Sequence, residues 1–436
     1  MIQAVIMAGG KGTRLREITR DEIPKPMAPV AGKPILQWQI ETLKEQGVTD
    51  IVLIIGHLGE KIRSYFGEGE RCGVNIRFIE ENEPLGTAGA LALLPPFLQG
   101  ERFFLVFGDV LFDIDLARMQ RFHEEKHAAA TLFVHPNSHP FDSDLVVMDE
   151  QARVQAFNSK HSVRIDWYQN CVNAGLYLLE KEVCTLIPAG EKYDMEKQLL
   201  TGMIASGQAV YGYRSPEYIK DVGTVERIRL AEKELQSGLI AGRNLRLRQK
   251  AVFLDRDGTI NRKNGLVYRE DQFELEPDAA QAIAEINRSG YLAIVVTNQP
   301  VVARGLCSID DVKRIHNKME TLLGKEGAYV DAIYFCPHHP DKGYPEENPA
   351  YKISCRCRKP DTGMLEEAAE RFHIDLTRSW VVGDTTVDIQ TGVNAGTHTA
   401  LVLTGDAGKD GKYKVQAELT AATLAEVIQL IKEREL

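Results

Sequence analysis

Ala251-Val-Phe-Leu-Asp-Arg-Asp-Gly-Thr-Ile-Asn261 divides the chain, because four apolar residues run into two carboxylates in the middle of a 436-residue sequence. Val252 to Leu254 read as a buried parallel strand. Asp255 and Asp257 then fall at its carboxyl end, where open α/β sheets hold their ligands. Gly258 permits a sharp exit from the strand. Two aspartates separated by one residue suit phosphoryl transfer. Asp255 can attack phosphorus, while Asp257 can protonate the leaving oxygen and later take a proton from water. Two carboxylates repel each other and a phosphate dianion, so the motif implies a hard cation held through oxygen, Mg2+. The tetrapeptide alone would read as a solvated turn. The apolar strand before it and the residues downstream weigh against that reading.

The length is too great for one ordinary core and predicts two or three domains. With 44% hydrophobic and 26% charged residues and no apolar run long enough to span a bilayer, the composition predicts a soluble globular protein that needs no membrane. The first ten residues carry no basic region and lead directly into a glycine-rich loop, so they do not read as a signal peptide. A net charge of −10 argues against a nucleic-acid surface and leaves room for local basic pockets that take anionic substrates. Seven cysteines, three of them close together, point to a metal site in a reducing compartment, hence a cytoplasmic location.

In the first half, Gln3 to Met7 form a short apolar strand followed by the glycine-rich loop Ala8-Gly-Gly-Lys-Gly-Thr-Arg-Leu15. Gly9, Gly10 and Gly12 let backbone N–H groups approach a phosphate, and Lys11 and Arg14 add charge. The loop lacks the Gly-Lys-Ser/Thr ending of a P-loop. It also has Leu15 where a dinucleotide fingerprint has its last glycine. In Ile23-Pro-Lys-Pro-Met27, prolines on both sides hold Lys25 in an extended segment.

Gly-Gly-x-Gly-Thr-Arg-Leu followed by Pro-Lys-Pro resembles the sugar-1-phosphate nucleotidyltransferases. The match continues through Gly32-Lys-Pro-Ile, a helix over about Ile35 to Glu45 and the strand Ile51 to Ile55. It implies a Rossmann-like, glycosyltransferase-A-like mixed sheet for residues 1–240. Glu83-Pro-Leu-Gly-Thr-Ala-Gly-Ala90, with Gly86, resembles the family's base-and-sugar loop. The strand Phe103 to Phe107 leads into Asp109, whose family partner on Mg2+ falls at Asp221. Phe157-Asn-Ser-Lys160 resembles the family's Phe-x-Glu-Lys segment, with Ser159 departing from the usual Glu, and Asn173-Ala-Gly-Leu-Tyr177 resembles its substrate strand. The implied reaction is direct: an oxygen of the sugar 1-phosphate attacks the α-phosphorus of a nucleoside triphosphate, and pyrophosphate leaves. Arg14 and Lys25 would offset triphosphate charge, and Lys160 and Asn173 would hold the sugar phosphate.

Thr224 can cap a helix running to about Gln236. The stretch Ser237 to Arg246 reads as a short tether, with the boundary near residue 240 and a second domain over 248–436. There, a helix is expected from Pro277 to Arg288 and a strand from Tyr291 to Val296, ending in Thr297-Asn298-Gln299. The hydroxyl of Thr297 and the amide of Asn298 could hold phosphoryl oxygens. Ser308 opens a helix to about Leu323, and the strand Val330 to Phe335 leads into Cys336-Pro-His338. Sixteen residues later comes Cys355-Arg-Cys357. Three thiolates and an imidazole in two close pairs suit a closed tetrahedral Zn2+ site that orders a loop unable to bury a core. His339 competes with His338, which is preferred because it repeats the one-residue spacing. Arg358 and Lys359 follow as cations for a phosphate. The strand Trp380 to Val382 ends in Gly383-Asp384, offering Asp384 to the Mg2+ held by Asp255 and the backbone carbonyl of Asp257, with Asp388 orienting the site.

Asp-x-Asp-Gly-Thr, Thr-Asn, Lys-Pro and Gly-Asp-x3-Asp in this order resemble the haloacid dehalogenase superfamily of phosphatases, which implies a Rossmannoid parallel sheet carrying a zinc loop. The Cys-x-His and Cys-x-Cys insertion resembles the branch that hydrolyses heptose bisphosphate and histidinol phosphate. Pro300-Val-Val302 and Thr385 depart from that branch at the substrate rim. One half thus makes activated sugars from sugar 1-phosphates and the other resembles an enzyme that leaves a 1-phosphate behind. The expectation is that D-glycero-D-manno-heptose 1,7-bisphosphate loses its 7-phosphate, and that the 1-phosphate, as the α-anomer, is coupled to a nucleotide from GTP. A mannose-1-phosphate guanylyltransferase tethered to a phosphatase such as one for histidinol phosphate is the alternative. A non-catalytic regulatory half is a further one, opposed by the presence of Asp255, Asp109 and Lys25. The expected partners are small sugar phosphates and a nucleoside triphosphate, and a homo-oligomer is compatible with the sequence.

Overall fold

The computed structural model describes residues 2–10, 15–161, 164 and 166–434. It divides into two compact units, one of Met1–His135, Asp144–Ser159 and Val172–Asn244, the other of Pro136–Ser143, Lys160–Cys171 and Leu245–Leu436. Among the described residues, no helix is long and apolar enough to cross a membrane.

The first unit is built on a mixed nine-stranded sheet. Its strands are β1 (Gln3–Met7), β2 (Asp50–Ile55), β3 (Asn75–Glu80), β4 (Arg102–Phe107), β6 (Ala130–His135), β7 (Leu145–Met148), β8 (Val154–Asn158), β9 (Val172–Glu180) and β10 (Val210–Arg214), with β5 (Val110–Asp113) and β11 (Tyr218–Asp221) forming a separate ribbon. The order β8-β7-β9-β4-β1-β2-β3 places the parallel set β4-β1-β2-β3 together, with β9 antiparallel to β4. After their first residues, Gln3, Asp50 and Arg102, strands β1, β2 and β4 are continuous apolar runs because both faces of a parallel sheet are covered. The helix Ile35–Glu45 spans the residues its periodicity predicts and buries Leu36, Ile40 and Leu43 against that sheet. Thr224 caps Val225–Gln236 through its hydroxyl, which accepts from Arg227 N–H. The junction differs from a plain tether: the chain turns at Gly238 in the left-handed region and makes one further helical turn, Leu239–Gly242.

The second unit holds a six-stranded sheet, parallel throughout, in the order β14-β13-β12-β15-β16-β17. The strands are β12 (Lys250–Leu254), β13 (Tyr291–Asn298), β14 (Ala332–Cys336), β15 (Trp380–Gly383), β16 (His398–Val402) and β17 (Leu419–Ala421). The central positions of β12 and β15 align the carboxyl ends that carry Asp255 and Asp384. The helix Ile309–Lys325 starts at Ser308 with a full capping box closed by Asp311. Two segments from the first half of the sequence also belong to this unit. They are joined by Asn170, whose side chain accepts from Asn137 N–H and donates to Asn137 O, and they reach the long helix through Tyr168 N–H, which donates to the Thr321 hydroxyl at 3.1 Å. Residues 1–240 are therefore not one uninterrupted unit, because these segments find their hydrogen-bond partners on Ile309–Lys325.

Candidate active sites

At the carboxyl edge of the second sheet, Asp255, Asp384 and Asp388 bring carboxylate oxygens within 4.8 Å of one another. Lys359 bridges two of them, its Nζ 2.8 Å from Asp255 Oδ1 and 2.5 Å from Asp388 Oδ1. Burial, with Asp388 alongside, pushes Asp255 up to about 6 although Lys359 pulls the other way. Burial and then the charges of Asp255 and Asp388 push Asp384 up to about 7. Asp384 is fully buried, and its Oδ1 has no hydrogen-bond partner. Three buried carboxylates, bridged by Lys359 and reached by Lys263 at 3.4 Å from Asp384 Oδ2, with an orphaned oxygen, fit a divalent cation. Gly258 and Gly405 keep this spot open: a Cβ on either would stand 2.3 or 2.1 Å from Asp384 Oδ2.

Asp257 does not join that trio and turns the other way. Arg256 Nη2 donates to both of its oxygens at 2.9 and 2.8 Å, Gln299 Nε2 donates at 2.8 Å and Asn261 Nδ2 at 3.0 Å. Burial alone would raise its pKa, but Arg256, Gln299 and Asn261 outweigh burial and hold the carboxyl below its ordinary range. Arg256 is itself fully buried, and its Nη1 lies 3.2 Å from His316 Nε2. Guanidinium only donates, so Nε2 is the acceptor. Burial, then Arg256, pushes His316 down to about 3 and keeps it neutral in that role.

The neighbouring residues play supporting parts. Asn298 accepts from Lys359 N–H and donates to Lys359 O, so its amide fixes the lysine's backbone. The Thr297 hydroxyl accepts from Gln299. Asp388 accepts from both N–H and hydroxyl of Thr385, which caps the following helix. The Arg358 guanidinium donates to His338 O at 3.0 Å.

Cys336, His338, Cys355 and Cys357 form the second cluster whose ligand atoms lie within 4.8 Å of one another. Sγ of Cys357 is 3.2 Å from those of Cys336 and Cys355 and 3.4 Å from His338 Nδ1. Hydrogen bonding from Cys336 brings the Cys357 thiol down to about 5 against the effect of burial. The donor set fits a tetrahedral soft-metal site. His339 lies outside the cluster, its Nδ1 accepting from Asp341 N–H.

The first unit has a cavity of about 430 Å³ at the carboxyl ends of β1 and β4, lined by Gly9, Gly10, Lys25, Glu81, Gly86 and Asp109 among others. The ribbon of β5 and β11 brings Asp109 to Asp221: Val110 pairs with Asp221, and Val222 N–H donates to Asp109 O at 2.8 Å. Lys25 forms an ion pair with Asp109. Asp221 accepts from Arg227 at 2.6 Å and from Gly223 N–H. A Cβ at Gly223 would meet Asp221 Oδ1 at 2.6 Å and Lys25 Nζ at 2.8 Å, so the two carboxylates and the lysine converge there. Two carboxylates at this spot fit a divalent cation. Gly108 is required because a Cβ there would press within 3.0 Å of the Pro26 ring, which seats Lys25. Gly86, at φ +82°, lies against the backbone of Tyr193. Asn173 donates to the Tyr177 hydroxyl and to Glu196 Oε1, both at 2.6 Å.

Gly12 and Arg14 lie outside the described residues. Lys160, read as a ligand of the sugar phosphate, sits in the second unit with its Nζ 3.6 Å from Asp142 Oδ1. Arg256, His316, Gln299, Glu81 and Glu196 were not singled out by motif reading. Only Arg256 carried a signal, as a cation placed between two essential carboxylates.

The chain belongs to the nucleotidyl transferase family, whose model matches residues 3–238, and residues 356–427 match the HAD-hydrolase-like family. It is a nucleotidyltransferase joined to an HAD-like phosphatase. Over the first half it is 34% identical to the D-glycero-α-D-manno-heptose 1-phosphate guanylyltransferase of Aneurinibacillus thermoaerophilus, covering 54% of this chain and 99% of that protein. Over the second half it is 37% identical to the D-glycero-β-D-manno-heptose-1,7-bisphosphate 7-phosphatase of Photorhabdus laumondii, covering 42% of this chain and 95% of that protein. The UTP–glucose-1-phosphate uridylyltransferase of Synechocystis is 34% identical over 51% of this chain, which spans 61% of that relative's length.

Proposed function

We propose that the chain carries out two consecutive steps on a heptose. The second unit removes the 7-phosphate of D-glycero-D-manno-heptose 1,7-bisphosphate. The first then couples the heptose 1-phosphate to GMP from GTP, giving GDP-heptose and pyrophosphate. The observation that carries this reading is that one chain joins a buried carboxylate-lysine site suited to phosphoryl transfer with a nucleotidyltransferase cavity. It is supported by relatives of each half, named for a heptose, that the chain spans almost completely. Those two relatives are named for opposite anomers. We take α from the transferase, since that step must accept the product of the other.

In the phosphatase step, an oxygen of Asp255 attacks phosphorus, the bond to the C7 oxygen breaks and Asp257 gives that oxygen the proton it took from water in the preceding turnover. Water then attacks the aspartyl phosphate, and Asp257 takes its proton. The grip of Arg256 holds Asp257 as the carboxylate that the second half of this cycle needs. Lys359, kept protonated by Asp255 and Asp388 despite its burial, offsets charge on the phosphoryl group. Mg2+ would be held by Asp255, Asp384 and the carbonyl of Asp257, and would neutralise phosphoryl charge. Zn2+ would tie the loop between Cys336 and Cys357. At the transferase site, Gly9 and Gly10 give the triphosphate access to backbone N–H groups, Lys25 offsets its charge, and Asp109 with Asp221 would hold Mg2+. The substrates and the reduced cysteines are consistent with the cytoplasm.

The test is phosphate release by the full chain with Mg2+ from each anomer of heptose 1,7-bisphosphate and from histidinol phosphate, followed by GTP and mass analysis. Release from the α-bisphosphate followed by GDP-heptose is expected. No release from either anomer, with GDP-mannose forming from mannose 1-phosphate, would refute the heptose reading.

A further inference from the structure

The helix Ile309–Lys325 presents two neighbouring stripes. Ile315, Met319 and Leu323 recur every four residues and lie fully buried in the core on one face of the sheet. Beside them, at the same spacing, run His316, Glu320 and Gly324. His316 Nε2 accepts from Arg256 Nη1 at 3.2 Å. The rest of this second stripe is met by residues 136–143 and 167–171, the segments that the first half of the sequence contributes to this unit.

Those contacts are polar and directional. Glu320 and Thr321 are both buried. The Thr321 hydroxyl donates to Asn317 O at 2.7 Å, which leaves its oxygen to accept from Tyr168 N–H at 3.1 Å. Asn170 N–H donates to Glu320 Oε2 at 3.4 Å. Asn170 is itself fully buried, and its side chain pairs with both backbone groups of Asn137, which joins the two segments. Pro140 closes on the next turn, where a Cβ on Gly324 would stand 2.4 Å from its ring. Burial of the apolar stripe seats the helix on the sheet with little directional preference. Hydrogen bonds depend on both distance and angle, so the second stripe fixes the roll and slide of the helix.

We propose that residues 136–143 and 167–171 are a working part of the phosphatase, with Thr321 and Asn170 as positioning residues. They hold the helix where His316 can anchor Arg256, and Arg256 in turn aims Asp257. Thr321 and His316 are little more than one helical turn apart, so a shift at one is passed to the other. The inference rests on the reading of Asp257 as the proton-transfer carboxyl and adds the elements that keep it in place.

The experiment compares hydrolysis of two esters by the full chain. Heptose 1,7-bisphosphate has an alkoxide leaving group that needs a proton, and histidinol phosphate takes its place if the heptose is no substrate. The leaving group of 4-nitrophenyl phosphate needs none. Thr321→Val keeps the shape of the side chain and removes the acceptor for Tyr168 N–H, Thr321→Ser retains that acceptor, and thermal melting checks folding. Thr321→Val should lower kcat on the alkyl ester about tenfold with little change on 4-nitrophenyl phosphate, and Thr321→Ser should match the wild type. Adding Thr321→Val to Arg256→Lys should cost nothing further, because both act along one line of contacts. Equal losses on the two esters, no loss on either, or losses that add in the double variant would overturn the proposal. A wild type active on 4-nitrophenyl phosphate alone would refute the reading of Asp257, and the proposal with it.

Discussion

Arg256 and Asp257 are neighbours in sequence, and their side chains also meet: one guanidinium nitrogen of Arg256 donates to both carboxylate oxygens of Asp257, at 2.9 and 2.8 Å. The arginine is anchored from behind by neutral His316. This grip aims the carboxyl assigned to proton transfer. Arg256 Nε also donates to Asp257 Oδ1, at 3.2 Å; in Arg256→Lys this second donating nitrogen is lost, and hydrolysis of a sugar phosphate should fall about 10–100-fold. The loss on 4-nitrophenyl phosphate should be much smaller, since that leaving group needs no proton. Steady-state kinetics on the two esters distinguishes the cases: equal losses would make Arg256 a scaffold residue only.

The raised carboxyls at the metal site predict how stability varies with pH. Asp255 at about 6 and Asp384 at about 7 hold protons more tightly when folded than unfolded. Their contribution is thus fully present below the unfolded carboxylate range near 4 and is lost as pH rises through 6 to 7. A cation relieves the repulsion that causes the loss. Mg2+ should therefore raise the melting temperature of the metal-stripped chain more at pH 8 than at pH 5, and Asp384→Asn should flatten that difference. Differential scanning fluorimetry at the two pH values checks it, and an equal Mg2+ effect at both would refute it.

The cysteine cluster predicts bound zinc. Elemental analysis of the purified chain should find one Zn2+ per chain, and Cys357→Ser should lose most of it and melt lower, because a closed structural site contributes directly to folding. Full melting stability without zinc would show that the loop is ordered by its packing alone.

Asp109 should separate the two reactions. Asp109→Asn removes one carboxylate from the pair that would hold Mg2+ and breaks the ion pair with Lys25, so nucleotidyl transfer should fall at least about 100-fold. Given heptose bisphosphate and GTP, this variant should release phosphate and accumulate heptose 1-phosphate, seen by mass spectrometry. GDP-heptose at the wild-type rate would remove Asp109 from the transfer site.

Much of this arrangement was legible because the chemistry lies in short stretches. Asp255-Arg-Asp257 at a strand end and Cys336-Pro-His338 with Cys355-Arg-Cys357 carry their geometry in local backbone and spacing, whereas Lys25, expected in an extended segment, opens a 3-10 turn, Lys25–Met27, directly after the extended Pro24. The strand Gln3–Met7 followed from its short apolar run, and the amphipathic helix Ile35–Glu45 was expected as part of the family resemblance. These features depend on interactions a few residues long, which the sequence by itself determines. Tertiary structure alone decided which distant groups meet. Asp109 reaches Asp221 because β5 pairs with β11. Glu81 lies over Gly9 because β3, β2 and β1 are successive strands of one sheet. His316 backs Arg256 because a helix more than fifty residues downstream packs behind the strand end. Asn298 grips the backbone of Lys359, and the segment around Lys160 takes its partners from the second unit. Strand order and helix placement follow from burying the whole apolar surface at once, a property no single motif contains.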